Sequence, residues 1–322
     1  MLIAALATLL ISAAPASAVD GQTPIPPVQT AIPSADTPTD LEDVVVEGRR
    51  LDDRVNTFVR EIGAPANNRG LARWRGSVCP AVVNLRNDMA HAIVDRVSDV
   101  AQEVGLRVGD EGCTPNILIF ATDDAQAFTP ELVAYRPRLF RLGGTGTDRG
   151  RAALEAFQTV DRPVRWWHVS VPVDEEGQVA TRIPGYCKDP CSTPMDYTPQ
   201  VRVNGSRLLS SISDNLARVY IVLDANEIAD VNLGQLGDYV AMVALAQVNP
   251  DADTSGYATV LNLFDDPAQT EGLTNWDKAY LEGLYGVVMT RRNLNTARNE
   301  VASSIVRAHQ RITTLAEADT GE

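Results

Sequence analysis

Histidine is scarce in this chain: there are three in 322 residues, His91, His168 and His309, each isolated in sequence. A zinc site usually draws on clustered ligands, so a three-histidine centre would need all of them to converge from distant segments. His91 lies about 200° around its helix from Met89 at 100° per residue, which turns it to solvent. His168 shares a strand face with Trp166 and Ser170, and His309 sits beside Ile305 at the margin of an apolar stripe. Surface and boundary positions are the expectation for the three. Catalytic signatures are also missing. There is no GxSxG elbow, and paired disulfides would leave no thiol nucleophile. The glycines of "LGGTGTDRG", residues 142–150, precede a helix but lack the Gly-Lys-Ser/Thr ending of a phosphate loop and the dinucleotide spacing, so they read as a turn. Adjacent acids, Asp123 with Asp124 and Asp265 with Asp266, read as solvated loop carboxylates.

Positive charge is in short supply as well. Lys and Arg number 28 against 42 Asp and Glu, a net charge of −14. Such a surface repels nucleic acid and anionic lipid and favours cations or basic partners. Long apolar runs are absent except at the start, where "MLIAALATLLISAAPASA" ends in the small-x-small pattern of a signal peptidase site. Its uninterrupted apolar part is shorter than the ~20 residues of a spanning helix. Residues 1–18 therefore read as a signal peptide, with export to the periplasm or the extracellular space and no transmembrane segment after cleavage. No Lys or Arg precedes the run, which leaves the usual charge to the amino terminus or to a start further upstream.

Four cysteines in an exported chain point to two disulfides. Cys79 precedes a helix of about 20 residues, about 30 Å long, and nine extended residues ending at Cys113 span about the same distance back. That geometry pairs Cys79 with Cys113 and leaves Cys187 and Cys191, in "CKDPC", to staple a tight turn. A zinc site on the latter would need a second CxxC or a Cys/His pair.

Residues 19–40, rich in Pro, Thr and Ala, have little that could form a core, and with residues 41–50 make a disordered leader. Within it "DVVVEGRR", residues 43–50, resembles the segment that begins the plug of TonB-dependent outer-membrane receptors; its own composition reads as a short strand or an exposed tether. A single domain is expected over residues 51–322. Leu85, Met89, Ile93, Val97, Val100 and Val104 repeat at helical spacing, with Asn84 as the cap and Gly105 as the stop. "NILIFAT", "VRWWHVSVPV" and "ARVYIVLD" read as strands. Between them "GTDRGRAALEAFQTV" reads as a helix with Asp148 near its start. Helices dominate about 234–316. The fold class is therefore α/β or α+β, a mixed sheet with packed helices and a helical C-terminal part. Trp166 and Trp167, consecutive in one strand, face opposite sides; either both are buried in a sheet covered on two faces, or one belongs to a binding surface.

The stretch from 234 to 286 combines a buried helix, "GDYVAMVALAQV", a turn, the short segment "TVLNLF" and a closing "LTNWDKAYLEGLYG". That order resembles the catalytic half of metzincin-type metallopeptidases, with "TVLNLF" placed like the Met-turn. The resemblance implies a zincin-like scaffold. In that family two histidines one turn apart bind zinc and a Glu beside the first acts as base. Aligning the helices puts Asp238, Tyr239 and Met242 at those positions, a set that fits neither zinc nor a general base. Without the resemblance, the helix is simply apolar all round and reads as core. A calcium loop is a separate expectation. In "DADTSG" Asp251, Asp253, Ser255 and Gly256 match positions 1, 3, 5 and 6 of an EF-hand loop, while position 12 is Asn262 instead of Glu. The reading that follows is a non-catalytic exported domain that binds an unknown protein or envelope component, without nucleic acid. The alternatives are a peptidase-like hydrolase, with Asp238 and Tyr239 as the first place to look, and a calcium-stabilised interaction module using Asp251, Asp253 and Ser255.

Overall fold

The computed structural model describes residues 41–185, 187, 191–199, 201, 209–287 and 293–320. The expected signal peptide and residues 19–40 lie outside them. The main compact unit spans Val44–Glu322. The described residues begin with α1 (Leu41–Ile62), so the valines of "DVVVEGRR" lie in a helix and not in the short strand their composition suggested. The reason lies downstream. Val55, Phe58, Val59 and Ile62 recur at helical spacing and are all buried, and a helix docked by such a face propagates through β-branched residues whose own propensity is only slightly unfavourable.

Four strands form one mixed sheet: β1 (Pro80–Val83), β2 (Ile117–Thr122), β3 (Val164–Val173) and β4 (Ser213–Asp224). Their spatial order is β1-β2-β4-β3. β1, β2 and β4 run parallel, and β3 closes the edge antiparallel to β4, with Val164 opposite Leu223 and a register shift between Val169 and Ser170. The parallel β1–β2 step is bridged by α2 (Asn87–Glu103), as parallel strands require. Asn84 does not cap α2. It takes a left-handed backbone, φ 62°, and its amide donates to Ala121 O at 2.8 Å, a conformation Asn tolerates better than most residues. Gly105, φ 80°, does stop the helix.

Between β2 and β3 come α3 (Ala125–Tyr135), α4 (Pro137–Phe140) and α5 (Arg151–Thr159). After β4 come α6 (Leu233–Leu245), α7 (Asn275–Gly286) and α8 (Leu294–Thr320). The sheet is covered on both faces. One core joins α1, α2, α6, α7 and α8 to Ile117, Ile119, Trp166 and Ile221, and the other joins α3, α4 and α5 to Trp167, Val169, Tyr220 and Val222. Both tryptophans are thus buried, one per face, and each indole N–H is satisfied: Trp166 donates to Val248 O at 2.9 Å and Trp167 to Phe140 O at 2.8 Å. The outer edge of β3 is covered too, by Ser170 N–H donating to Thr147 O at 3.0 Å and Ala180 N–H to Pro172 O at 2.7 Å.

Both cysteine pairs stand at disulfide distance, Cys79 with Cys113 and Cys187 with Cys191, with Cα separations of 6.2 and 5.7 Å. The first ties the start of β1 to the chain returning from α2. No helix among the described residues is long and apolar enough to cross a membrane. Disulfides and this lack of a spanning helix fit a secreted protein.

Candidate functional site

The helix expected to carry any metal chemistry is α6. Asn232 and Gln235 cap it reciprocally, which fixes where its first turn presents Asp238. That carboxylate is already engaged: one oxygen accepts from Arg96 Nε of α2, the other from the Leu273 amide at 2.9 Å. The chain can pass this closely because position 272 is glycine with φ 147°, and a Cβ there would overlap the Asp238 carboxylate. Tyr239 is buried edge-on between Trp166 and Phe264, with ring centroids 6.1 and 5.0 Å away. Burial raises its hydroxyl well above the ordinary phenol range. Met242 is 0% exposed. The three positions therefore form no open cleft: one is an ion pair and two are core. Their donors do not fit a zinc ion, since the carboxylate is spent on a guanidinium and an amide.

What the other end of α6 needs explains an isolated histidine. The last carbonyls of a helix lack intrahelical partners and must find donors when buried. Met242 O accepts from Ala246 N–H at 3.1 Å. The next three are met by side chains from three separate segments: Val243 O by His168 Nε2 at 2.8 Å, Ala244 O by Trp74 Nε1 at 2.9 Å and Leu245 O by the Tyr285 hydroxyl at 2.7 Å. A carbonyl can only accept, so Nε2 of His168 carries the hydrogen. Burial lowers the His168 pKa to about 4, against the upward pull of its bond to Val243 O, and the ring is neutral at ordinary pH. His168 is thus a buried cap, 5% exposed, and not the boundary residue its sequence context implied. His91 is exposed as expected, and His309 stacks edge-on against Trp276 at 5.4 Å. Among the described residues no group of three or more His, Cys, Asp or Glu is placed to hold a metal ion.

The remaining parts of the 234–286 stretch lock onto one another. Asp277, fully buried at the start of α7, accepts from Thr259 Oγ1 at 2.5 Å, Val260 N–H at 2.8 Å and Thr274 N–H at 3.0 Å. It caps its own helix and pins "TVLNLF", a short 3₁₀ turn at Val260–Asn262, beneath α6. Burial raises its carboxyl pKa while those donors oppose the shift.

In "DADTSG" the expected ligands face different partners. Asp251 pairs with Arg162, whereas Asp253 accepts from the Ser255 amide at 3.1 Å and hydroxyl at 2.7 Å. Asn262 fills the centre of the turn, accepting from Thr254 Oγ1 at 2.6 Å and donating to Tyr257 O at 2.8 Å. The loop is closed by protein donors, with the Asp253 carboxyl held below its ordinary range by Ser255.

A cleft of about 280 Å³ opens elsewhere, between the start of β4, the Asn68–Leu71 segment and the first turns of α8. At its floor Asp214 accepts from Arg69 Nε at 2.6 Å and from Gly70 N–H at 3.1 Å. Burial raises the Asp214 pKa against the pull of Arg69. Arg298 lines the cleft together with Asn68, Ser210 and Ser213, and Leu71, Ile212, Leu294 and Val301 make its apolar wall. Sequence reasoning had no hold on this site: Arg69 and Asp214 are 145 residues apart, and neither sits in a recognisable motif. Compared with known protein families, curated proteins and solved structures, the chain matches none.

Proposed function

We propose that this chain is an exported, non-catalytic binding domain, periplasmic or extracellular, built on a degenerate zincin-like scaffold. The observation that carries this reading is the state of α6. Asp238 is consumed by Arg96 and Leu273, and Tyr239 and Met242 are packed into the core, so the helix that would present a metal and a base acts as a structural rod. The disulfide-distance pairs and the net charge of −14 support export and a protein or envelope component as partner in place of nucleic acid. The 280 Å³ cleft at Arg69, Asp214 and Arg298 is where recognition would centre.

Purified residues 19–322 are the material for the test. Elemental analysis should find no stoichiometric zinc, and a library of unstructured peptides should remain intact with and without a chelator. Stoichiometric zinc, or cleavage abolished by the chelator, would overturn the reading. Cross-linking in the cell envelope followed by affinity capture identifies the partner, and a cell lacking any specific cross-link would count against the binding role.

A further inference from the structure

The cleft at the start of β4 has a charge balance unlike that of the whole chain. Against a net charge of −14, its lining among the described residues holds two guanidiniums, Arg69 and Arg298, and one carboxylate, Asp214. That carboxylate is not offered to a ligand. Its two oxygens are occupied by Arg69 Nε and Gly70 N–H, so Asp214 holds the Arg69 guanidinium by one nitrogen. A guanidinium has five N–H donors, and among the described residues those on its two terminal nitrogens have no partner. Part of the wall is apolar, from Leu71, Ile212, Leu294 and Val301. An inorganic anion would leave that wall wet, and a purely apolar ligand would strip water from two arginines without replacing it.

We propose that this cleft binds a small amphipathic carboxylate, with the acid group held by the terminal nitrogens of Arg69 and by Arg298 and the hydrocarbon body against Leu71, Ile212, Leu294 and Val301. The size agrees. A cavity of 280 Å³ holds about nine waters at roughly 30 Å³ each, which suits a body of about ten non-hydrogen atoms. The proposal rests on the reading of the chain as a binding domain and adds the class of ligand.

Isothermal titration of residues 19–322 with 3-phenylpropionate and hexanoate, and with their uncharged primary amides, provides the test. The acids should bind saturably and the amides should not. Arg298→Gln should weaken the acids about ten- to a hundredfold, as loss of a hydrogen bond to a charged group does, and Arg298→Lys should recover part of that. Raising salt should weaken binding, while inorganic phosphate should compete poorly. Equal binding of acid and amide, no saturable binding of either acid, or an unchanged affinity in Arg298→Gln would each overturn the proposal. The acid-against-amide comparison uses the unmodified chain, so it stands even if a variant fails to fold. These outcomes bear on the ligand alone; zinc or chelator-sensitive peptide cleavage would instead remove the reading beneath it.

Discussion

His168 offers the sharpest quantitative test of α6 as a structural rod, because its neutral ring is the donor that satisfies Val243 O. Burial lowers its pKa from 6.5 to about 4 in the folded chain. The unfolded chain therefore takes up a proton first as pH falls, and the stability this group contributes is complete above pH ~6.5 and is lost between there and pH ~4. At about 1.4 kcal/mol per tenfold change in proton affinity, that lowering sets the full loss at roughly 3 kcal/mol. By pH 5 about 2 kcal/mol of it should be gone. Asp214 and Asp277, whose carboxyl pKa values are raised by burial, act in the opposite sense. A low-pH titration of the native chain alone would mix the two effects, so the quantity to measure is a difference. His168→Gln keeps an N–H donor within reach of Val243 O and removes the titration. Urea unfolding of both proteins, followed by tryptophan fluorescence at several pH values from 4 to 8, gives the native-minus-variant stability. That difference should fall by roughly 3 kcal/mol across the range, with most of the change between pH 6.5 and 4. A flat difference, or a His168 ring titrating near 6.5 in the folded protein by nuclear magnetic resonance, would refute the assignment of His168 as a buried cap.

Three further expectations follow from particular contacts. Asp238→Ala should destabilise by about 2–3 kcal/mol, somewhat below the usual cost of breaking a buried pair because Arg96 is partly exposed; the double variant with Arg96→Ala should recover at least 1 kcal/mol of it, as coupled partners do, and strict additivity in chemical denaturation would contradict the pairing. Gly283→Ala should cost about 1–3 kcal/mol or more by overpacking, since a Cβ there would stand 2.6 Å from Ile305 N and 2.7 Å from its Cα where α7 crosses α8; an unchanged melting temperature would contradict that crossing. Removing the Cys79–Cys113 link by a double Ser substitution should lower stability by about 4 kcal/mol in the loop-entropy model for a separation of 34 residues, and non-reducing peptide mapping that finds any other partner for Cys79 would contradict the pairing itself.

How much of this was legible in the residues depended on whether the signal was local. β3 reads as a strand over its full length because six of its ten residues are Val or Trp, spaced along the whole segment. α2 reads from its stripe, and Gly105 from its position after it. β1 was not found: four residues beginning with proline carry too little period to separate a strand from a loop. α3 was not found either, because Pro130 lies inside it and reads as a break; Asp124, accepting from Ala127 N–H at 2.8 Å, starts the helix regardless. α5 begins later than its sequence indicated, at Arg151, since Asp148 turns its carboxylate to the Gly150 amide and toward Arg141. At the candidate sites the local signal identified which helix was buried and which residues stood at the positions of interest. Their partners, Arg96 for Asp238 and Arg162 for Asp251, come from elements 142 and 89 residues away, and only the folded chain brings them together.

The segment before β1 shows how the burial of α6 is sustained. A hydrophobic helix deep in a domain satisfies its apolar surface by packing, but its exposed carbonyls at the C-terminal end would each cost about 1–3 kcal/mol if left dry and unpaired. Residues 71–75 cross that end as an extended strap. Ala72 N–H donates to the Gln247 side chain at 2.6 Å, Trp74 reaches Ala244 O, and Arg73 donates to Leu284 O and Tyr285 O at 3.0 and 2.8 Å, closing the end of α7. The same strap continues from Arg69 and Gly70, which position Asp214 in the cleft. One short run of chain thus seals the buried ends of two helices and shapes one side of the 280 Å³ cleft. The burial of α6 and the shape of the cleft beside the strap therefore depend on the same short run of backbone.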